Sequence, residues 1–274
     1  MSEPTATGLW LYAVARGLDP APLAGLRGVA DAEVRTVAMG GQGSGEEPLT
    51  AVVGPVPLAE FGEEALRRNL EDLDWLATTA RAHDAVVAAV SAASSAAVPL
   101  RLATVCFDDE RVRDLLTERE QEFTTALDAL TGRTEWGVKV YTDPAKLAGA
   151  AEPTASVSSA SGGSAGSGTA YLRRRKAALS ARETGERIAA EHAEHLHARL
   201  ARAAVAYRRH PPQDPKLSGE RAHMVLNGAY LVDDERATEF ADLVRALDAE
   251  HEAVRVELTG PWPPYSFAAV SQPE

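Results

Sequence analysis

Apolar positions recur first at the spacing of strands and then at the spacing of helices. Gly8-Leu9-Trp10-Leu11-Tyr12-Ala13-Val14-Ala15 is continuously apolar and reads as a buried strand. Ala32 to Met39 alternates as a half-buried strand should, and Leu49 to Val53 resumes a strand that Gly54-Pro55-Val56-Pro57 should stop. From Leu58 the period lengthens. Phe61, Leu66, Leu70, Leu73, Leu76, His83, Val86, Val87 and Val90 recur at helical spacings through Ser94. Val98 to Val105 reads as a strand whose proline, Pro99, suggests an edge or entry position. Asp108-Asp109-Glu110 then opens a helix, where carboxylates suit the positive end of the dipole, and that helix runs to a stop at Gly132.

Thr134 to Tyr141 is a further strand. A Ser/Gly/Ala tract at 155–169 gains too little from burial to offset chain entropy and is expected to be mobile. It reads as a domain linker or as an insertion at a loop tip, and the second reading is favoured. Tyr171 to Arg209 predicts one long helix broken by Pro211-Pro212. A strand at His223 to Val232, an amphipathic helix at Ala237 to Glu250 and a strand at Val254 to Leu258 complete a β-α-β-α-β order. The fold class expected is α+β, with two domains that are each a small sheet covered by helices. The boundaries fall at 1–133 and 134–274, the second domain being ferredoxin-like with a long helix.

Charge narrows the function. Residues 1–150 hold 13 Lys+Arg against 23 Asp+Glu, a difference of 10, and the chain as a whole has a net charge of -12. Such a surface repels phosphate backbones, so nucleic acid is not expected as a partner. The single cysteine, Cys106, admits no internal disulfide and suits a reducing cytoplasm. The first residues carry no charged-then-apolar leader, and no stretch has the roughly 20 apolar residues that cross a bilayer. A soluble, intracellular protein with no membrane association is the expectation.

Candidate chemistry is thin. His192 and His195 share a helix face beside Glu191 and Glu194, which offers half of a zinc shell and an alternative reading as a metal-dependent small-molecule enzyme. A polar outer helix face explains them more simply. His83, beside Asp84 on an amphipathic helix, reads as a histidine satisfied by its neighbours, and Cys106 as a structural thiol. Gly40-Gly41-Gln42-Gly43-Ser44-Gly45 lacks the Lys-Ser/Thr of a phosphate loop. No catalytic, cofactor or metal residue is assigned, and no enzyme activity is expected.

What remains is a set of rigid, aromatic motifs: Val98-Pro99-Leu100-Arg101, Glu135-Trp136-Gly137-Val138-Lys139, and Leu258-Thr259-Gly260-Pro261-Trp262-Pro263-Pro264-Tyr265-Ser266-Phe267. Prolines fix φ and restrict the preceding residue, so the last motif has little entropy left to lose. Its three rings can then bury large areas in a groove. Pro99, Arg101, Trp136, Lys139, Pro261, Trp262, Pro264, Tyr265 and Phe267 are therefore the candidate structural and docking residues.

In these motifs, and in Ala82-His83-Asp84-Ala85-Val86-Val87, the sequence resembles the gas vesicle protein F/L family (GvpF/GvpL) over most of its length. It departs at Leu102-Ala103, where members often show Phe-Gly, and in the Ser/Gly/Ala tract. The resemblance implies a two-domain α+β accessory protein, without cofactor, found at the gas vesicle in the cytoplasm. It further implies assembly or nucleation of the shell through contacts with the shell protein GvpA and other accessory proteins, and is compatible with self-association.

Overall fold

The computed structural model describes residues 6–40, 47–142, 167–212, 223–250 and 254–268. The fold is α+β, with helices against two small sheets. The chain divides into two compact units, Met1–Glu135 together with Pro261–Glu274, and Trp136–Gly260. Against the expected division at 133/134, the C-terminal segment from Pro261 groups with the first unit.

The first unit is built around β1 (Thr7–Arg16), which pairs antiparallel with β3 (Thr50–Pro57) on one side and with β4 (Ala96–Pro99) and β5 (Val105–Cys106) on the other. β2 (Arg35–Ala38) extends the sheet beyond β3. The register of β1 against β3 shifts between Leu11 and Ala13, so Tyr12 is bulged. A bulge puts an extra residue on one face, and accordingly Trp10, Tyr12, Ala13 and Ala15 all enter one core cluster. Val86, Val87 and Val90 of α3 (Leu73–Ala92) complete it. α5 (Glu120–Leu130), which carries buried Phe123 and Leu127, packs on β1 and β4.

Several expected elements are cut differently. β3 does not stop at Gly54 but continues through Pro55 and Pro57. The Leu58 amide donates to Ala6 O at 2.9 Å, so alternation along the ladder turns the nitrogens of Pro55 and Pro57 away from β1. On that side β2 ends opposite Val53, and no ladder donor is missed. The single helix expected from Leu58 is three: α1 (Leu58–Phe61), α2 (Glu63–Asn69) and α3. Gly62 separates the first two in an extended conformation. Asp72 starts the third by accepting from the amides of Asp74 and Trp75. The expected 98–105 strand is interrupted between β4 and β5, where Ala103 turns left-handed at φ 68. The expected helix after Asp108 breaks at Arg119 into α4 (Asp109–Glu118) and α5. Asp109 and Glu110 lie in the first turn of α4, while Asp108 stands one place before it and caps it by accepting from Arg111 N at 2.9 Å.

In the second unit the strand order is β7-β8-β6-β9, from β6 (Arg133–Thr142), β7 (Ala206–Arg209), β8 (His223–Asp233) and β9 (Val254–Trp262). Between them come α6 (Ser167–Ala203) and α7 (Ala237–Ala249), giving the chain order β-α-β-β-α-β. β7 was expected to be the end of the long helix. It peels off because Val205 N donates to Leu231 O at 2.8 Å and Ala206 to Arg209 then pair antiparallel with β8. Ala189, Ala193, Leu196 and Leu200 form a stripe on α6 that meets Phe240, Val244 and Leu247 of α7 and Tyr230 and Val232 of β8 in one core. β9 also runs on through Gly260-Pro261 to Trp262, beyond the expected stop at Leu258. Of the Ser/Gly/Ala tract, residues 155–166 lie outside the described residues, and 167–169 belong to α6. No described helix is long and apolar enough to cross a membrane.

Candidate functional site

The bulge in β1 aims Tyr12 into the core of the first unit, where its hydroxyl accepts the Val29 amide at 2.8 Å. Gly28 leaves the room. A Cβ there would lie 2.2 Å from the Tyr12 hydroxyl. Burial pushes the Tyr12 phenol up to about 12, partly offset by the Val29 amide. The imidazole of His83 stacks on this ring, with centroids 5.4 Å apart.

His83 is held at both nitrogens. Trp10 Nε1–H donates to His83 Nδ1 at 2.9 Å, so Nδ1 is the acceptor and Nε2 carries the proton, which it donates to Leu100 O at 3.1 Å. Burial pushes its pKa down, against smaller opposing effects from the Leu100 carbonyl and Asp84. The ring is therefore a neutral structural link, as its sequence setting suggested. It belongs to a continuous run of rings. Trp75 meets Phe61 at 5.5 Å, Phe61 meets Trp10 at 5.7 Å, and Tyr265 reaches His83 at 6.4 Å.

Tyr265 brings the C-terminal motif to this run. Its hydroxyl donates to Asp84 Oδ1 at 2.8 Å, and burial followed by Asp84 raises its pKa. One residue on, Ser266 donates through its amide and its hydroxyl to the two oxygens of buried Glu135, at 2.8 and 2.7 Å. Phe267 N and Ala268 N both donate to Pro264 O at 3.0 Å, which closes a tight turn. The segment 264–268 is thus fastened by two carboxylates and its own backbone.

The nine candidate residues separate on this frame. Pro264 is buried and Phe267 half-buried, while Tyr265 is fastened yet 39 % exposed. Trp262 differs from its expectation: it is 53 % exposed, beside exposed Pro261. Its ring lies just before the turn that is fastened, and the expected burial of three rings holds for neither Trp262 nor the whole of Tyr265. Pro99 is buried at the end of β4, and Arg101 is exposed in the loop that follows, its carbonyl accepting from Thr104 Oγ1 at 2.8 Å. Trp136 and Lys139 lie on β6 in the second unit, half-buried. The Trp136 ring packs on that unit's core and its indole nitrogen meets no acceptor among the described residues.

The second unit has a counterpart that the sequence reading passed over. His197 of α6 is buried, its Nδ1 lies 2.9 Å from the Tyr230 hydroxyl, and its ring stands edge-on to Tyr207 at 4.7 Å. Burial lowers its pKa. The signal was the position of His197 four residues after Ala193 and one after Leu196 on the buried stripe, whereas His195 faces solvent and His192 is half-buried. Among the described residues no three His, Cys, Asp or Glu side chains come together as metal ligands. Cys106 is half-buried and its pKa is pushed up by burial, so its thiol is poorly disposed to ionise.

Known proteins share both the sequence and the frame. A crystal structure of the gas vesicle protein GvpF from Anabaena sp. PCC7120 matches with a TM-score of 0.64 at 20% identity, covering 97% of this chain and 98% of that one. That likeness is one of fold. The gas vesicle protein L of Streptomyces sp. (strain CB03234) is 45% identical over 268 residues, which is 96% of this chain and 93% of that protein. The gas vesicle protein F of the same strain is 28% identical over 242 residues. Residues 8–269 match the family of the gas vesicle synthesis protein GvpL/GvpF. The chain belongs to the GvpL/GvpF family of gas vesicle synthesis proteins.

Proposed function

We propose that the protein is a non-enzymatic accessory factor that acts in assembly or nucleation of the gas vesicle shell, in the cytoplasm at the forming vesicle. It does so by binding the shell protein GvpA and other accessory proteins of the vesicle. Family membership supports the process, and one observation carries the docking role: Trp262 stands half in solvent directly before a turn fastened at Tyr265 and Ser266. An aromatic ring presented on a fixed backbone loses little freedom on binding and offers a large apolar face with one donor, the character of an interface anchor. The titratable groups inside the first unit work in the same direction. His83 uses both nitrogens in fixed bonds, and Tyr12 spends its hydroxyl on a backbone amide. Neither is poised to exchange a proton with a substrate.

The test is complementation of a strain lacking this gene. The wild-type chain should restore vesicles, and Trp262→Ala, expressed and folded at wild-type level, should restore few or none. Full vesicle yield with Trp262→Ala would overturn the docking role. A deletion strain that makes normal vesicles would overturn the assembly role.

A further inference from the structure

We propose a second docking surface on the first unit, a preformed socket for one apolar side chain of a partner protein segment flanked by lysine or arginine. This rests on the docking role proposed above. The socket is a cleft of about 290 Å³ between the 28–31 loop and α3. Phe61, Trp75, Ala30 and Ala82 are among its lining residues. Trp75, Thr78, Thr79 and Ala82 follow at helical spacing, so one stripe of α3 faces the cleft.

The cleft is fixed rather than adaptable. Ala30 and Asp31 are both left-handed, at φ 58 and 53, a conformation that non-glycine residues hold only where their surroundings overdetermine it. Here Tyr12 anchors the Val29 amide, and the Arg27 guanidinium donates to Asp31 O at 2.7 Å. Trp75 Nε1–H donates to Glu60 Oε1 at 2.9 Å, and both residues line the cleft. Backbone strain and bonded rings around a partly apolar lining describe a prepared recess. Its volume lies at the bottom edge of the range usual for small-molecule sites and suits one large side chain.

Charge selects the occupant. Residues 58–84 contain seven carboxylates (Glu60, Glu63, Glu64, Glu71, Asp72, Asp74, Asp84) and three arginines (Arg67, Arg68, Arg81), so 3 − 7 leaves −4. At the cleft itself stand Glu60, Asp31 and Arg27, so 1 − 2 leaves −1, with the Arg27 guanidinium 3.8 Å from an Asp31 carboxylate oxygen. An acidic partner is repelled here, and an uncharged apolar metabolite would leave the rim unused. A basic amphipathic segment satisfies both parts.

Titration of the full-length, nitrogen-15-labelled protein with a short peptide of central leucine and flanking lysines tests this, read at the indole N–H signals of the four tryptophans. The Trp75 signal should shift saturably while Trp10 and Trp136 stay in place. Affinity should fall about tenfold when leucine in the peptide becomes serine, and by a similar factor in Thr78→Phe, which fills the cleft from an exposed helix position. Glu60→Gln should weaken binding and flatten its salt dependence. No shift at Trp75, or equal shifts with the serine peptide, overturns the socket. A protein that binds GvpA but leaves Trp75 unmoved with the peptide removes the socket alone. One that shifts Trp75 but ignores GvpA keeps the socket and removes the reading of the previous section.

Discussion

Trp10 Nε1–H donates to His83 Nδ1 across 2.9 Å, from the central strand of the first sheet to the helix that covers it. That bond sets the tautomer of a buried histidine and makes its neutral form part of the fold. In the folded chain the His83 pKa lies below the ordinary 6.5, so between the two values only the unfolded chain takes up a proton. The stabilisation is complete above pH 6.5 and falls on acidification, by at most about 1.4 kcal/mol per pH unit for one group, levelling below the folded-state value. Urea midpoints of wild type and His83→Gln from pH 8 to pH 5 should therefore converge as the pH drops. A constant gap between them would contradict the assignment.

The Tyr12 hydroxyl and Gly28 form a matched pair. Tyr12→Phe strands the Val29 amide in the core and should cost about 1–3 kcal/mol. Gly28→Ala drives a methyl into the same hydroxyl and should cost more. Combined, the two changes should cost less than their sum, because removal of the hydroxyl relieves the closest contact. Strict additivity in denaturant midpoints would show that the two residues do not share this space.

Ala103 occupies a left-handed position at φ 68, a conformation that glycine adopts without steric cost and alanine does not. Ala103→Gly should raise stability by about 0.5–1 kcal/mol, and Ala103→Val should lower it. A neutral or destabilising glycine would contradict the conformation of this loop.

The C-terminal turn depends on Glu135. Glu135→Ala removes both acceptors of Ser266 and should accelerate amide hydrogen exchange at 266–268 about tenfold or more, leaving the core strand β1 protected. Tyr265→Phe, which gives up only the bond to Asp84, should have the smaller effect. Unchanged exchange in both would mean that the turn is held by other means.

Legibility of the fold in the sequence followed the strength of each local signal. β1 was readable because eight successive apolar residues exceed what an exposed strand carries, and the order of the two halves followed from alternating periods. The cuts were not readable. Gly62 and Asp72 end and begin helices through backbone conformation and a side-chain cap, while the apolar spacing passes through both points unbroken. β7 looked like a helix end because Ala203-Ala204-Val205 continues the helical composition, and only the Leu231 carbonyl decides otherwise. For the site, proline spacing announced the rigid C-terminal motif. Its partners Asp84 and Glu135 lie 181 and 131 residues away, and no local pattern could have named them. The exposure of Trp262 was equally hidden, since a tryptophan between prolines reads as a buried anchor until the turn after it is placed.

In the proposed role, a fixed aromatic ring, Trp262, is presented to the vesicle shell protein. Direct binding of purified GvpA to the full chain, with Trp262→Ala beside Trp262→Phe, tests it most directly. The wild type should bind, phenylalanine should retain part of the affinity, and alanine should lose about tenfold or more at unchanged thermal stability. Equal binding by all three chains, or none by the wild type, would contradict it.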